Sequence, residues 1–172
     1  MFNNTQKTEF KASLLIRIST ILVSIIVFNR WINLRFMVGP FRFTHLLAWI
    51  GGAYVGLFTP VYYILKRRKP HIVKPLLRFH TYGNLISFML YSVHNTQQLS
   101  RPKEFYPDLG TGISLYIIML VLVFTGFIYR FNLLQSYTRF AKDTPHFNRN
   151  LHVILTLSIY LILIVHILTN IG

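Results

Sequence analysis

The sequence predicts an all-α integral membrane bundle of five transmembrane helices, and three observations carry that expectation. Of the 172 residues, 53% are hydrophobic and only 13% are charged, whereas a soluble globule carries about 25% charged residues. The apolar residues are gathered into long runs free of formal charge, and the basic residues stand at the ends of those runs. Such a chain has too little polar surface to cover a water-soluble core, so the bilayer is its expected solvent.

The chain reads as a single transmembrane domain over residues 1–172, with helices at 12–29, 44–65, 76–100, 111–130 and 149–172. The first run contains Arg17, which a helix tolerates when the long side chain snorkels to the headgroups. No signal-peptide cleavage pattern follows this run, so it is expected to persist as a helix. Residues 30–43 are aromatic and basic and are broken by Gly39-Pro40; they read as an interfacial connector. Thr44 to Leu65 holds no Asp, Glu, Lys or Arg over 22 residues and is stopped by Lys66-Arg67-Arg68-Lys69-Pro70. About 20 such residues cross the hydrocarbon. Phe79 to Ser100 is likewise uncharged and ends at Arg101-Pro102; Gly112 to Tyr129 ends at Arg130; Asn150 to Gly172 forms the last run. Lipid cannot satisfy the hydrogen bonds of an open strand, so these runs read as helices.

The net charge is +14, against only four acids, Glu9, Glu104, Asp108 and Asp143. No stretch interleaves basic and aromatic residues into a nucleic-acid surface. Anionic lipid headgroups and cofactor carboxylates are the expected partners. The 66–78 loop and the 130–149 loop are rich in Lys and Arg, while in the 101–111 loop Glu104 and Asp108 balance Arg101 and Lys103. The positive-inside rule then gives a multi-pass protein of the cell membrane with a cytoplasmic N-terminus and an outer C-terminus. Arg30, Arg35 and Arg42 weigh against that orientation.

The third and fifth helices share a pattern: a basic residue, a His within three positions, and a second His 14 residues later. The pairs are His80 with His94 and His152 with His166. Fourteen residues return to within about 40° of the starting face, and a supercoil nearly removes that mismatch. Each pair therefore lies along one seam, its members ~21 Å apart. With one crossing between them the two helices run parallel, which puts His80 level with His152 and His94 level with His166. Two opposed imidazoles at each of two levels is what two stacked bis-histidine haems need. Buried packing histidines or a proton relay are the bland alternative. A bare metal site would instead cluster its ligands, with carboxylates or thiolates, at one level. There is no cysteine, which excludes disulfides, cysteine-held iron–sulfur clusters and covalent haem attachment.

Gly112 and Gly126 are also 14 apart and are expected to let a flat porphyrin approach at the two levels. Gly83, one turn after His80, is a further candidate, and Gly51, Gly52 and Gly56 read equally well as helix packing. Arg78, Lys74 and Arg149 flank the inner pair as candidate propionate partners, with Arg101 and Lys103 as the outer ones; membrane anchoring is the alternative for each. His45 starts the second helix, and His71 and His146 read as solvated loop residues, although a surface imidazole can accept a quinol proton.

On these motifs the chain resembles the N-terminal haem-binding bundle of cytochrome b from the quinol–cytochrome c reductase family. Leu76 to His94 looks like its first ligand helix, Arg149 to Leu168 like its second, and Gly112 and Gly126 match the paired glycines of its intervening helix. The resemblance covers residues 44–172. The chain is similar also to ferric-reductase and NADPH-oxidase-like membrane domains, and to di-haem anchor subunits of hydrogenases and dehydrogenases. The Pro-Glu-Trp-Tyr quinol-oxidation motif is missing, Thr156 stands where a Pro usually follows the third ligand, and no Gly-rich dinucleotide fingerprint is present.

The resemblance implies two non-covalent haems b, with His80 and His152 on the inner iron and His94 and His166 on the outer. It implies a subunit carrying electrons across the membrane within a larger redox complex, with quinone as a further candidate ligand. A stand-alone oxidoreductase acting on ferric iron or on superoxide and quinone is the alternative, as is a haem-containing accessory subunit.

Overall fold

A segment in lipid must satisfy its backbone hydrogen bonds internally, and the computed structural model is built almost wholly of long helices. It describes residues 4–102, 110–131, 133 and 144–170. The helices are α1 (Asn4–Phe28), α2 (Phe43–Arg68), α3 (Val73–Leu99), α4 (Gly110–Phe131) and α5 (Thr144–Asn170), with a 3-10 turn at Pro70–Ile72 leading into α3. Among the described residues the only strands are β1 (Met37–Val38) and β2 (Phe41–Arg42), an antiparallel hairpin in the 30–43 connector with Met37 opposite Arg42. Its turn is made by Gly39 at φ 59° followed by Pro40.

Four helices, α1, α2, α4 and α5, are long and apolar enough to cross a membrane. The 27 residues of α3 are also long enough, but Asn84, Ser87, Ser92, Thr96, Gln97 and Gln98 lower its apolar character, and it is not one of the four. Those polar groups are largely internal. Ser87, Ser92, Thr96, Gln97 and Gln98 are buried. The hydroxyls of Thr81 and Ser92 donate back to the Leu77 and Phe88 carbonyls, each at 2.8 Å.

Two compact units are formed, Lys11–Pro107 and Met1–Phe10 with Asp108–Gly172. In the first, α2 packs antiparallel on α3. Small residues allow the approach: a Cβ on Gly51 would stand 3.1 Å from the Ser87 carbonyl oxygen, and one on Gly52 would stand 2.8 Å from the Tyr91 hydroxyl. These two glycines serve helix packing. The α1 helix ends with Arg30 in the left-handed region at φ 58°. The Trp31 and Arg30 amides bond to the Ile26 and Val27 carbonyls, the Schellman arrangement usually built on glycine.

In the second unit α4 packs on α5. The chain's first turns join them, which is why α1 begins at Asn4, well ahead of its apolar run. Phe10 stacks on Phe127 at 5.3 Å and meets Phe131 edge-on at 5.1 Å, and Arg130 donates to the Glu9 carboxylate at 2.5 Å.

Candidate functional site

Each sequence-derived ligand histidine sits half-buried on its helix, and each unit holds its own pair by a different set of contacts.

In the α4–α5 unit the two imidazoles are held alike. The Thr125 hydroxyl oxygen lies 3.2 Å from Nδ1 of His152, and the Thr111 hydroxyl oxygen lies 2.9 Å from Nδ1 of His166. Beside each threonine stands a glycine. A Cβ on Gly126 would be 3.3 Å from Cε1 of His152, and one on Gly112 would be 3.5 Å from Cε1 of His166. The glycines therefore face the imidazole edges at the two levels. A Thr-Gly step thus occurs twice, at 111–112 and 125–126, with the 14-residue spacing of the histidines it serves.

With its proton on a carbonyl of its own helix, Thr125 selects a tautomer at its level. Its hydroxyl donates to the carbonyls of Val121 at 2.9 Å and Leu122 at 3.2 Å. Carbonyls only accept, so the hydroxyl proton points into its own helix. Towards His152 the oxygen then offers a lone pair. In that arrangement Nδ1 would carry the proton and Nε2 would keep the lone pair that a metal uses.

In the α2–α3 unit the contacts are different at each level. The His80 ring stacks on Tyr62 with centroids 4.3 Å apart and planes 15° apart, and the Asn84 amide lies 3.1 Å from Nδ1. Asn84 follows His80 by one helical turn; with its amide oxygen turned to the ring, the same contact would fix an Nδ1–H tautomer. The His94 ring meets His45 edge-on at 4.9 Å, and the Gln98 amide reaches Nε2 of His45 at 3.2 Å. Gly83 faces Tyr54: the phenol fills the space where a Cβ would stand, and its hydroxyl donates to the Phe79 carbonyl at 2.6 Å. In this structure the side chain beside Gly83 is Tyr54 of α2.

The basic candidates lie near helix ends. Arg78 and Lys74 are exposed in the first turns of α3, and Arg149 is exposed one turn before His152. Arg101 follows the end of α3, and Lys103 lies outside the described residues. His71 belongs to the 3-10 turn before α3, and His146 falls in the first turns of α5, not in a loop. Among the described residues no three His, Asp or Glu side chains are grouped to hold a metal ion by themselves.

Thr111, Thr125, Tyr62, Asn84 and the His45–Gln98 contact are additions from the structure. Of these, only the repeated Thr-Gly step carried a signal in the sequence, a second 14-residue echo. No family model matches the chain, nor does any curated protein or solved structure.

Proposed function

We propose that the chain is a di-haem b-type cytochrome that carries electrons across the membrane as the quinol- or quinone-linked subunit of a larger redox complex. In this reading α3 is a fifth membrane-crossing helix. His80 and His152 serve one haem in this reading, His94 and His166 the other. The N-terminus is then cytoplasmic and the C-terminus outside.

The observation that carries the reading is the doubled Thr-Gly seat on α4, which presents two imidazoles of α5 at one turn-for-turn spacing. A packing histidine needs no such repeat. A porphyrin brings its own equatorial nitrogens and asks the protein only for axial groups. A haem held there would supply a one-electron couple.

The chain's own residues do the rest. Thr125 holds His152 in the Nδ1–H form, which keeps Nε2 as a ligand and raises its basicity. Tyr62 restricts rotation of His80 by stacking. Arg78 and Arg149 are placed to offset propionate charge near the first pair, and Arg101 near the second. Charges this close to a haem would tune its potential, less so where they are exposed, as Arg78 and Arg149 are.

The test is a reduced-minus-oxidised visible spectrum with a pyridine haemochrome assay on protein purified from haem-replete cells. Two haems b per chain are expected. Protein that is folded and helical yet has no b-type absorbance would overturn the reading.

A further inference from the structure

The α3 helix carries a second repeat besides its histidine pair. A carboxamide follows each histidine by one helical turn, Asn84 after His80 and Gln98 after His94. Residues four apart on a helix are neighbours on one face. At the first level the short Asn84 side chain turns back to the ring itself, its amide 3.1 Å from Nδ1 of His80. At the second level the partner differs. Gln98 is longer by one methylene, and its amide nitrogen lies 3.2 Å from Nε2 of His45 on α2. His45 in turn meets the His94 ring, with centroids 4.9 Å apart and planes at 89°.

Two features set this chain of contacts apart from ordinary packing. Gln98 is only 6% exposed, and a carboxamide is costly to bury unless it is bonded. Its oxygen is buried without a partner, so among the described residues the contact with His45 is the one hydrogen bond of that side chain. The imidazole it holds is exposed. An exposed ring is free to turn about its side-chain bonds, and a bond from the buried side removes that freedom. The neighbouring Gln97 is equally buried, at 4%, yet its amide turns to the Ser100 hydroxyl at the end of its own helix. One glutamine thus ties off α3 and the other reaches across to α2. The antiparallel α2 then supplies one ring beside each histidine of α3, Tyr62 stacked on His80 and His45 edge-on to His94.

We propose that Gln98 and His45 are positioning residues for His94: the buried amide fixes the His45 ring, and the His45 ring sets the plane of the His94 ring. The proposal rests on the di-haem reading, in which His94 is an axial ligand. Groups behind a ligand orient its ring, and the plane of an axial imidazole decides how it overlaps with the iron d orbitals. A ring without that support presents a spread of planes.

The test is low-temperature EPR of the oxidised full chain purified from haem-replete cells. The low-field g value of a low-spin ferric haem follows the angle between its two axial imidazole planes. The signal lost in His94→Ala identifies the level. Gln98→Met keeps the shape of the side chain and removes its hydrogen bond. It is expected to shift and broaden that signal, and His45→Leu should do so more strongly. Both should leave the other signal at its wild-type position, and Gln97→Met should leave both signals in place. Circular dichroism confirms the helices. If His45→Leu unfolds or loses haem, Gln98→Met decides the matter. A wild-type signal in Gln98→Met overturns the assignment. So does an equal shift in Gln97→Met, which would mean a general loosening of the end of α3. Two haem signals that no variant moves remove the positioning role alone and leave the haem reading standing. A folded wild type with no low-spin ferric signal overturns both.

Discussion

The two histidine-bearing helices, α3 and α5, carry the same 14-residue pair on very different backgrounds. The α5 helix is apolar enough to cross a membrane by composition alone, and it presents Leu157, Leu161 and Leu168 outward. The α3 helix holds its amides and hydroxyls inside, beneath α2, or bonded to its own carbonyls. A polar side chain returned to the i−4 carbonyl, or covered by a neighbour, costs far less in lipid than its transfer value implies. Hydropathy therefore undercounts a helix of the α3 kind. The ring contacts differ in the same way: α4 offers α5 one seat used twice, whereas α2 offers α3 an aromatic face at one level and a second imidazole at the other.

The sharpest way to break this comparison is to remove the proposed ligands one at a time. His80→Ala or His152→Ala should delete one haem and spare the other, and His94→Ala or His166→Ala should do the reverse, each halving the pyridine haemochrome yield. Loss confined to the α5 variants, with both haems six-coordinate in the α3 variants, would take α3 out of the ligand set.

Over-packing the glycines comes next. Leucine at Gly126 or Gly112 has no room beside the imidazole, and strain of this kind costs about 1–3 kcal/mol. It should appear as a shifted or weakened Soret band from one level only. Alanine sharpens the point: its Cβ would be tight at Gly126 and in ordinary contact at Gly112, so Gly126→Ala should perturb its spectrum more than Gly112→Ala. Identical wild-type spectra in all four variants would make these glycines packing residues only.

Thr125→Val tests the tautomer. It removes one neutral hydrogen bond, worth about 0.5–1.5 kcal/mol, while the shape is kept. A loss of that size weakens haem binding at one level about 2–10-fold, so haem dissociation from that level should quicken, with Thr125→Ser restoring it. An unchanged dissociation rate would show that the hydroxyl does not hold the ligand ring.

Much of this was legible beforehand. Uncharged runs marked α2, α4 and α5, because length and charge exclusion are properties of a single segment. The histidine and glycine spacings were legible for the same reason. What stayed hidden depends on a neighbour. Threonine is common in apolar helices, and nothing local says that Thr125 sends its proton to Val121 and its lone pair to His152. Nothing local to Gly83 says that Tyr54 of α2 lies beside it. Nor does the composition of residues 4–10 announce a helix, since its anchors, Phe127, Phe131 and Arg130, lie far along the chain. The Gly39-Pro40 turn was visible in the connector, but strands of two residues leave no periodicity to read.

The smallest effect lies at the far end of α3, where a cation holds the last turn. Arg30 adopts φ 58° while its guanidinium donates to the Ser100 carbonyl. A non-glycine residue in this region costs about 1–2 kcal/mol. A charged hydrogen bond at a helix C-terminus returns a similar amount, reduced here because Arg30 is exposed to screening. Two substitutions separate these opposed terms. Arg30→Gly removes both the strain and the clamp, whereas Arg30→Ala removes the clamp and keeps the strain. Thermal unfolding in detergent should therefore place the wild type and Arg30→Gly close together and Arg30→Ala lowest, about 1 kcal/mol beneath the glycine variant. An Arg30→Ala variant as stable as the wild type would show that the bond to Ser100 contributes nothing.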